Sequence, residues 1–356
     1  TSPMTFSRIA PVALAAGLAL ASGAQAQTSL NLYGILDLSV GSFETSYNAA
    51  KVKTNRLTQV ESGKMTTSFI GFKGTEDLGG GLKANFMLES FLRLDSGASG
   101  RSSADVFWAR NANVGLSGGF GKVVLGRMDN FLFQQALAFN PYGGSFGYSP
   151  TIRMTFGGPA GNDQGDSGWS TAVAYYTPDF SGLKGAVQLQ LGESTTEGNS
   201  VGLMGSYTAG PFAVGLGYQS VKSAEAPKAN FVEPAKQTFL LLGTSYDFGV
   251  AKAFAQYGAF DGSGFTPATT VANMKTKLFQ LGASVPVGTD GKVLASYGHS
   301  TEKMPTADVK HAIITLGYDH NLSKRTDLYV VYMNDKEDVS GWKAGNTYAF
   351  GIRTKF

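Results

Sequence analysis

Residues 201–218 read VGLMGSYTAGPFAVGLGY. Val201, Leu203, Gly205 and Tyr207 alternate with Gly202, Ser206 and Thr208, and after the turn Ala209-Gly210-Pro211 the apolar positions resume at Phe212, Val214, Leu216 and Tyr218. Side chains of an extended chain point alternately to opposite faces, so each half is a strand with one apolar face and the pair is a β-hairpin.

The same pattern runs through the chain. Leu30, Leu32, Gly34, Leu36, Leu38 and Val40 share one face, while Asn31, Tyr33, Asp37 and Ser39 share the other. About sixteen such segments begin near residues 29, 65, 81, 105, 119, 169, 182, 199, 211, 236, 250, 275, 291, 309, 325 and 345. Short turns such as Asp77 to Gly81, Pro178 to Gly182 and Gly288 to Gly291 alternate with longer polar loops such as Thr45 to Lys64 and Lys222 to Lys236. The composition of 47 Gly, 24 Phe and 15 Tyr suits many strands joined by tight turns.

A closed ring is the arrangement in which strands of this kind can cross a membrane, because hydrocarbon offers no water to an unpaired NH or CO. The expectation is therefore an all-β fold, a sixteen-stranded antiparallel transmembrane β-barrel with an apolar outside and a wet lumen. Chain order places both ends and the short turns on the inner side of a Gram-negative outer membrane, with the long loops outside. Met4 to Arg8, the apolar run Ile9 to Ala21 and the small-residue site Ala24-Gln25-Ala26 read as a secretory signal peptide within residues 1–26, with Thr1-Ser2-Pro3 upstream of it. The barrel would then occupy 27–356, since the apolar run is shorter than the roughly 20 residues of a membrane helix. A formal charge of +3 argues against a nucleic-acid partner, and the lack of Cys excludes disulfides and thiol chemistry.

One connection stands apart. Between Arg127 and Gly168 lie roughly forty residues without a long alternating run, far above ordinary loop lengths. They carry Phe131, Phe133, Phe139, Tyr142, Phe146, Tyr148 and Phe156, too aromatic for a solvated loop, so the segment is expected to fold into the barrel and narrow it.

LNLYGILD at Leu30 to Asp37, GFKGTEDLGGGLKANFMLE at Gly71 to Glu89, VGLSGGFGKVVLGR at Val114 to Arg127, LGYDHNLSKRTDLY at Leu316 to Tyr329 and YAFGIRTKF at Tyr348 to Phe356 together resemble the Gram-negative general porin family, in particular its beta-proteobacterial branch. The resemblance implies a homotrimer in outer-membrane lipid, with a third external loop folded inward at about 127–168. It implies passive diffusion of small hydrophilic solutes and ions, without enzymatic chemistry or a cofactor. It also implies that Phe356, a terminal aromatic, is read by the barrel-assembly machinery.

Selectivity in such a pore comes from basic groups on the wall facing acids on the inserted loop. Arg110 matches a family constriction arginine, and Lys73 shares the lumen face of the second strand. Phe69 follows Ser68 where the branch usually has Arg, and no Arg precedes the sixth-strand core at Gly168-Trp169-Ser170, leaving Arg127 and Arg153 as substitutes. Asp129 and Glu89 are the candidate acids, but residues 130–162 hold no Asp or Glu. The expected outcome is weak anion preference with an aromatic constriction, unless Arg110 pairs locally with Glu89 or Asp105. A channel preferring aromatic or carboxylate solutes is the alternative. His299, His311 and His320 accompany no recognisable nucleophile, and Asn162-Asp163-Gln164-Gly165-Asp166 lacks the acidic ligand spacing of a calcium loop, so it reads as a turn.

Overall fold

The computed structural model describes residues 29–156, 166–192, 199–222, 236–262, 275–303 and 307–356. The stretch read as a signal peptide lies outside them, as do residues 162–165 of the oxygen-rich turn. In chain order the strands are β1 (Ser29–Phe43), β2 (Tyr47–Asn48), β3 (Leu57–Ser62), β4 (Phe69–Gly79), β5 (Leu82–Arg93), β6 (Ala98–Ser99), β7 (Asn111–Gly118) and β8 (Gly121–Asp129). Two helices follow, α1 (Phe131–Ala138) and α2 (Pro150–Phe156). The chain continues with β9 (Gly168–Tyr176), β10 (Leu183–Gln190), β11 (Ser200–Ala209), β12 (Phe212–Val221), β13 (Gln237–Asp247) and β14 (Lys252–Asp261). It ends with β15 (Lys275–Val287), β16 (Gly291–Lys303), β17 (Val309–Asn321), β18 (Thr326–Glu337), β19 (Trp342–Lys343) and β20 (Gly345–Lys355).

Eighteen of these form one antiparallel sheet; β3 and β4 are two halves of one wall strand and β6 is a two-residue flank of β5, which leaves sixteen wall strands. The sheet closes on itself because β1 pairs with β3 and β4 on one edge and with β20 on the other, from Ile35 opposite Lys355 to Ser42 opposite Tyr348. Closure leaves no open edge on which backbone groups would face hydrocarbon. Alternation sorts the side chains: Leu30, Leu32, Val330, Phe350 and Ile352 lie on the outer face, about half or more exposed in the isolated chain, while Asp37, Ser39, Gln256 and Thr315 point inward and are buried.

Two expected boundaries differ. The second wall strand starts at Leu57 and is broken at 63–68, and the fourth starts at Asn111, so Arg110 precedes the strand instead of lying in it. The break has a local cause. The amides of Met65 and Thr66 donate to Asp37 Oδ2 at 2.7 and 2.8 Å, and Tyr329 Oη donates to Asp37 Oδ1 at 2.7 Å. A carboxylate buried in the wall needs such donors, and the chain bulges inward to supply them. His320 lies at the end of β17.

The segment between β8 and β9 enters the lumen. Asn130 caps α1, its Oδ1 accepting from the Phe133 amide at 2.8 Å. Helix α1 then lies against β11, β12 and β13, and α2 against β15, β16 and β17. Lumen-facing glycines on β12, β13, β15, β16 and β17 make room for it: Gly215 and Gly217 under Gln135, Gly243 under Phe139, Gly282 under Pro141, Gly298 under Pro150 and Gly317 under Tyr142. A Cβ at Gly243 would come 2.5 Å from the Phe139 ring. Polar bonds complete the seat. The Thr151 amide donates to Gln280 Oε1 at 2.7 Å, Thr315 Oγ1 to the Tyr148 carbonyl at 2.9 Å, and Ser145 Oγ to the Lys64 carbonyl of the inward bulge at 2.6 Å.

At the seam, Phe356 and Gly34 exchange two backbone hydrogen bonds of 3.2 Å each. Deleting Phe356 removes both and is expected to cost about 2 kcal/mol, lowering the fraction of folded barrel in a heat-modifiability gel; unchanged folded yield would contradict this role. Gly298→Val pushes on Pro150 and is expected to displace α2 and raise single-channel conductance. Wild-type conductance in that variant would show the seat to be dispensable.

Candidate pore constriction

Arg110 enters the lumen just ahead of β7, with Nε 3.0 Å from Glu89 Oε2 on β5. Glu89 is itself buried and also accepts from Tyr33 Oη at 2.6 Å and from the Asn111 amide. The Arg110 guanidinium lies 4.4 Å from the ring centre of Phe69, so the phenyl at the expected arginine position supports a neighbouring cation, an interaction of roughly 1 kcal/mol. Lys73, two alternations along the same face, holds its ammonium 4.4 Å from the Tyr33 ring and remains exposed to the lumen.

Arg127 and Arg101 tie together the root of the inserted segment. Arg127 donates from Nη1 to Ser170 Oγ at 2.9 Å, from Nη2 to Asp166 Oδ2 at 3.3 Å and from Nε to the Ala109 carbonyl. Arg101 grips Asp166 with both terminal nitrogens at 2.8 and 2.9 Å and Asp105 through Nε and Nη2 at 2.9 Å each. Burial pushes the Asp166 and Asp105 carboxyls up, but hydrogen bonding and charge from Arg101 outweigh it and hold both below the usual carboxylate range. Asp129, at the end of β8, has Arg110, Glu89, Arg127 and Asp166 as its charged neighbours.

Phe69, Glu89, Arg110, Arg127 and Asp129 are thus brought to one region, with Lys73 beside it. Arg153 is not. It points from α2 to the far wall, where Nη2 donates to Asp335 Oδ2 at 2.7 Å while His311 Nε2 meets Asp335 Oδ1 at 2.7 Å. The reading of the loop as poor in acid describes 130–162, yet carboxylates arrive from elsewhere: Arg101, Arg110 and Arg127 face Glu89, Asp105, Asp129 and Asp166. Basic groups therefore do not outnumber acids among these residues. Most of the loop aromatics do not line the passage; Phe131, Phe133, Phe139, Tyr142 and Tyr148 are buried, and Phe146 and Phe156 are half-buried.

A closed sixteen-stranded barrel with an inserted segment between the fifth and sixth wall strands has counterparts among known proteins. The model of the Gram-negative porin family matches residues 12–340. The chain belongs to the Gram-negative porin family. An outer membrane porin of Delftia acidovorans is 36% identical over 94% of this chain and 93% of its own length. One of Bordetella pertussis is 29% identical over 97% and 98%. In structure, an anion-selective porin from Comamonas acidovorans superposes with a TM-score of 0.76 at 29% identity, covering 93% of this chain and all of its own. This porin is accordingly an outer-membrane protein whose water-filled lumen passes small hydrophilic solutes and ions, and its family and fold are those of non-enzymatic channels. Its short turns face the periplasm.

Arg101, Asp105, Asp166 and Tyr33 complete the cluster, and only Asp105 carried a hint in the sequence, as a possible partner of Arg110. The depressed carboxyls give a pH expectation. A lowered folded pKa contributes stability present above the unfolded value near 4 and lost only as pH falls through the folded value. The support that the Asp105 and Asp166 ion pairs give the loop root should therefore hold steady from pH 7 to about 4.5. Arg101→Ala frees both carboxyls to rise and is expected to make conductance unstable below about pH 5; a pH-invariant variant would contradict the anchoring role.

Proposed function

We propose that this porin is a general diffusion channel with weak anion preference, and that the preference arises below the arginine cluster, not within it. The observation that carries the reading is a set of lumen-facing lysines, Lys73, Lys83 and Lys122, that have no ion-pair partner among the described residues, whereas Arg101, Arg110, Arg127 and Arg153 each have a carboxylate. Uncompensated positive charge in a confined aqueous path raises the local anion concentration. The anion-selective structural relative, at 29% identity, supports the same sign. The inward segment at about 127–168 serves as the constriction, with Arg110, Glu89, Phe69, Arg127, Asp129 and Lys73 around it, while Arg153 holds α2 to the wall. No observation favours aromatic solutes, because Phe131, Phe133, Phe139, Tyr142 and Tyr148 are buried away from the passage.

The chain assembles as a homotrimer, is exported by its N-terminal signal and is recognised by the assembly machinery through Phe356, in keeping with its family. Bilayer reversal potentials in a KCl gradient are expected to give a chloride-to-potassium permeability ratio above one. Glu89→Gln leaves Arg110 uncompensated and should raise that ratio, by about a factor of two. Potassium preference in the wild-type channel would overturn the reading.

A further inference from the structure

Asp37 is a fully buried carboxylate on the lumen face of β1, and the register of the wall changes at it. Ile35 stands opposite Phe69 and Leu38 opposite Ser62, so the six residues 63–68 face only Leu36 and Asp37. The surplus chain has to leave the ladder, and Asp37 holds it where it does. Its carbonyl accepts from the Gly63 amide at 2.9 Å and from Ser68 Oγ at 3.1 Å, which ties both ends of the bulge to one residue. Its carboxylate takes the middle, with the Met65 and Thr66 amides on Oδ2. From β20, Arg353 Nη1 donates to Thr66 Oγ1 at 2.8 Å and braces the same turn.

The bulge in turn meets the tip of the inserted segment, between α1 and α2. The Lys64 carbonyl accepts from Ser145 Oγ at 2.6 Å and from the Gly147 amide at 3.1 Å. Only a glycine allows that approach, since a Cβ at 147 would come 2.7 Å from the same oxygen. The Lys64 side chain is drawn aside to Glu61, at 3.3 Å, and so leaves the carbonyl clear. Met65 packs in one buried cluster with Tyr142, Tyr148 and Tyr329. A second route from Asp37 ends at the same place. Tyr329 donates its hydroxyl to Oδ1, its ring meets Tyr148 edge-on at 6.3 Å, and the Tyr148 amide donates to Ser145 Oγ at 2.9 Å. Both routes converge on residues 145–148, far from the root that Arg101 and Arg127 secure.

We infer that Asp37 is a positioning residue for the passage: through the bulge and Tyr329 it sets how far the tip at 145–148 stands into the lumen, and thereby the aperture. This role rests on the inserted segment being the constriction, and it is independent of the sign of ion preference. Asp37 touches no solute and works by accepting hydrogen bonds. One carboxylate oxygen serves two amides while the other takes a hydroxyl, a set that neither an apolar nor a shorter side chain can reproduce. Without it the bulge amides are left buried and unpaired, a state the chain relieves by shifting. The tip moves with the carbonyl on which it rests.

The test measures single-channel conductance of the full-length porin in planar bilayers and liposome swelling with sugars of graded size, on barrels shown to be folded by heat modifiability. Asp37→Ala is expected to raise conductance by about a factor of 1.5 and to admit larger sugars than the wild type does. Asp37→Asn should stay close to wild type, because its carbonyl still accepts both bulge amides and its amide can meet the Tyr329 hydroxyl. Ser145→Ala, at the other end of the relay, should also raise conductance, and joining it to Asp37→Ala should add little. Should Asp37→Ala give no folded barrel, Thr66→Pro removes one amide donor from the bulge side and is expected to raise conductance likewise. Wild-type conductance and sugar cut-off in folded Asp37→Ala or Thr66→Pro barrels, fully additive effects in the double variant, or an Asn variant as open as the Ala variant would each overturn the relay. A rise in Ser145→Ala and Gly298→Val alone would confine that failure to Asp37, whereas no change in any variant would remove the constriction reading itself.

Discussion

A hydrocarbon interior offers no hydrogen-bond partner to a peptide group, and the architecture follows from that constraint. Each wall strand must find a neighbour on both edges, so β1 has to meet β20 as well as β3 and β4. With closure imposed, the period of two does the rest: one face of each strand belongs to lipid and the other to water. The terminal residue matters because the seam is where the ring could open, and Phe356 extends the pairing to Gly34.

The lumen is organised by a second requirement, that the inserted segment must pack as densely as any protein interior. Most of its aromatics are buried against the wall, and glycines on five strands make room for Gln135, Phe139, Pro141, Tyr142 and Pro150. The segment is therefore a wedge whose apolar back is turned to the wall. Anchors at both ends hold it, Asn130 with Arg127 and Arg101 at the root and Ser145 on the Lys64 carbonyl at the far side.

Arginine and lysine play different parts in the pore. The guanidinium forks engage carboxylates in fixed geometry, as Arg101 does with Asp105 and Asp166, so they brace the constriction more than they charge it. Lysines on the periplasmic half of the lumen wall remain point charges in water. In the proposed reading, selectivity and rigidity fall to different residue types at different depths.

Strand number, most starting positions, sidedness and the inward course of the described part of the segment between β8 and β9 were legible in the sequence because each depends on local alternation, turn chemistry or loop length. Arg110, Glu89, Phe69 and Asp129 were legible as candidates for the same reason, each lying at a recognisable place relative to a strand. The charge balance was not, because Asp166 lies far from Arg101 and Asp105 in sequence and meets Arg101 and Arg127 only where the root of the loop closes. The break at 63–68 and the role of Arg153 were hidden likewise, since Asp37 and Asp335 draw their partners from across the barrel. Alternation and turns are short-range properties that a sequence carries by itself, so it determined a closed membrane barrel with an inserted loop. Which cation is neutralised, which glycine receives which ring and where free positive charge remains depend on side chains brought together through ring closure, and only the tertiary structure decides them.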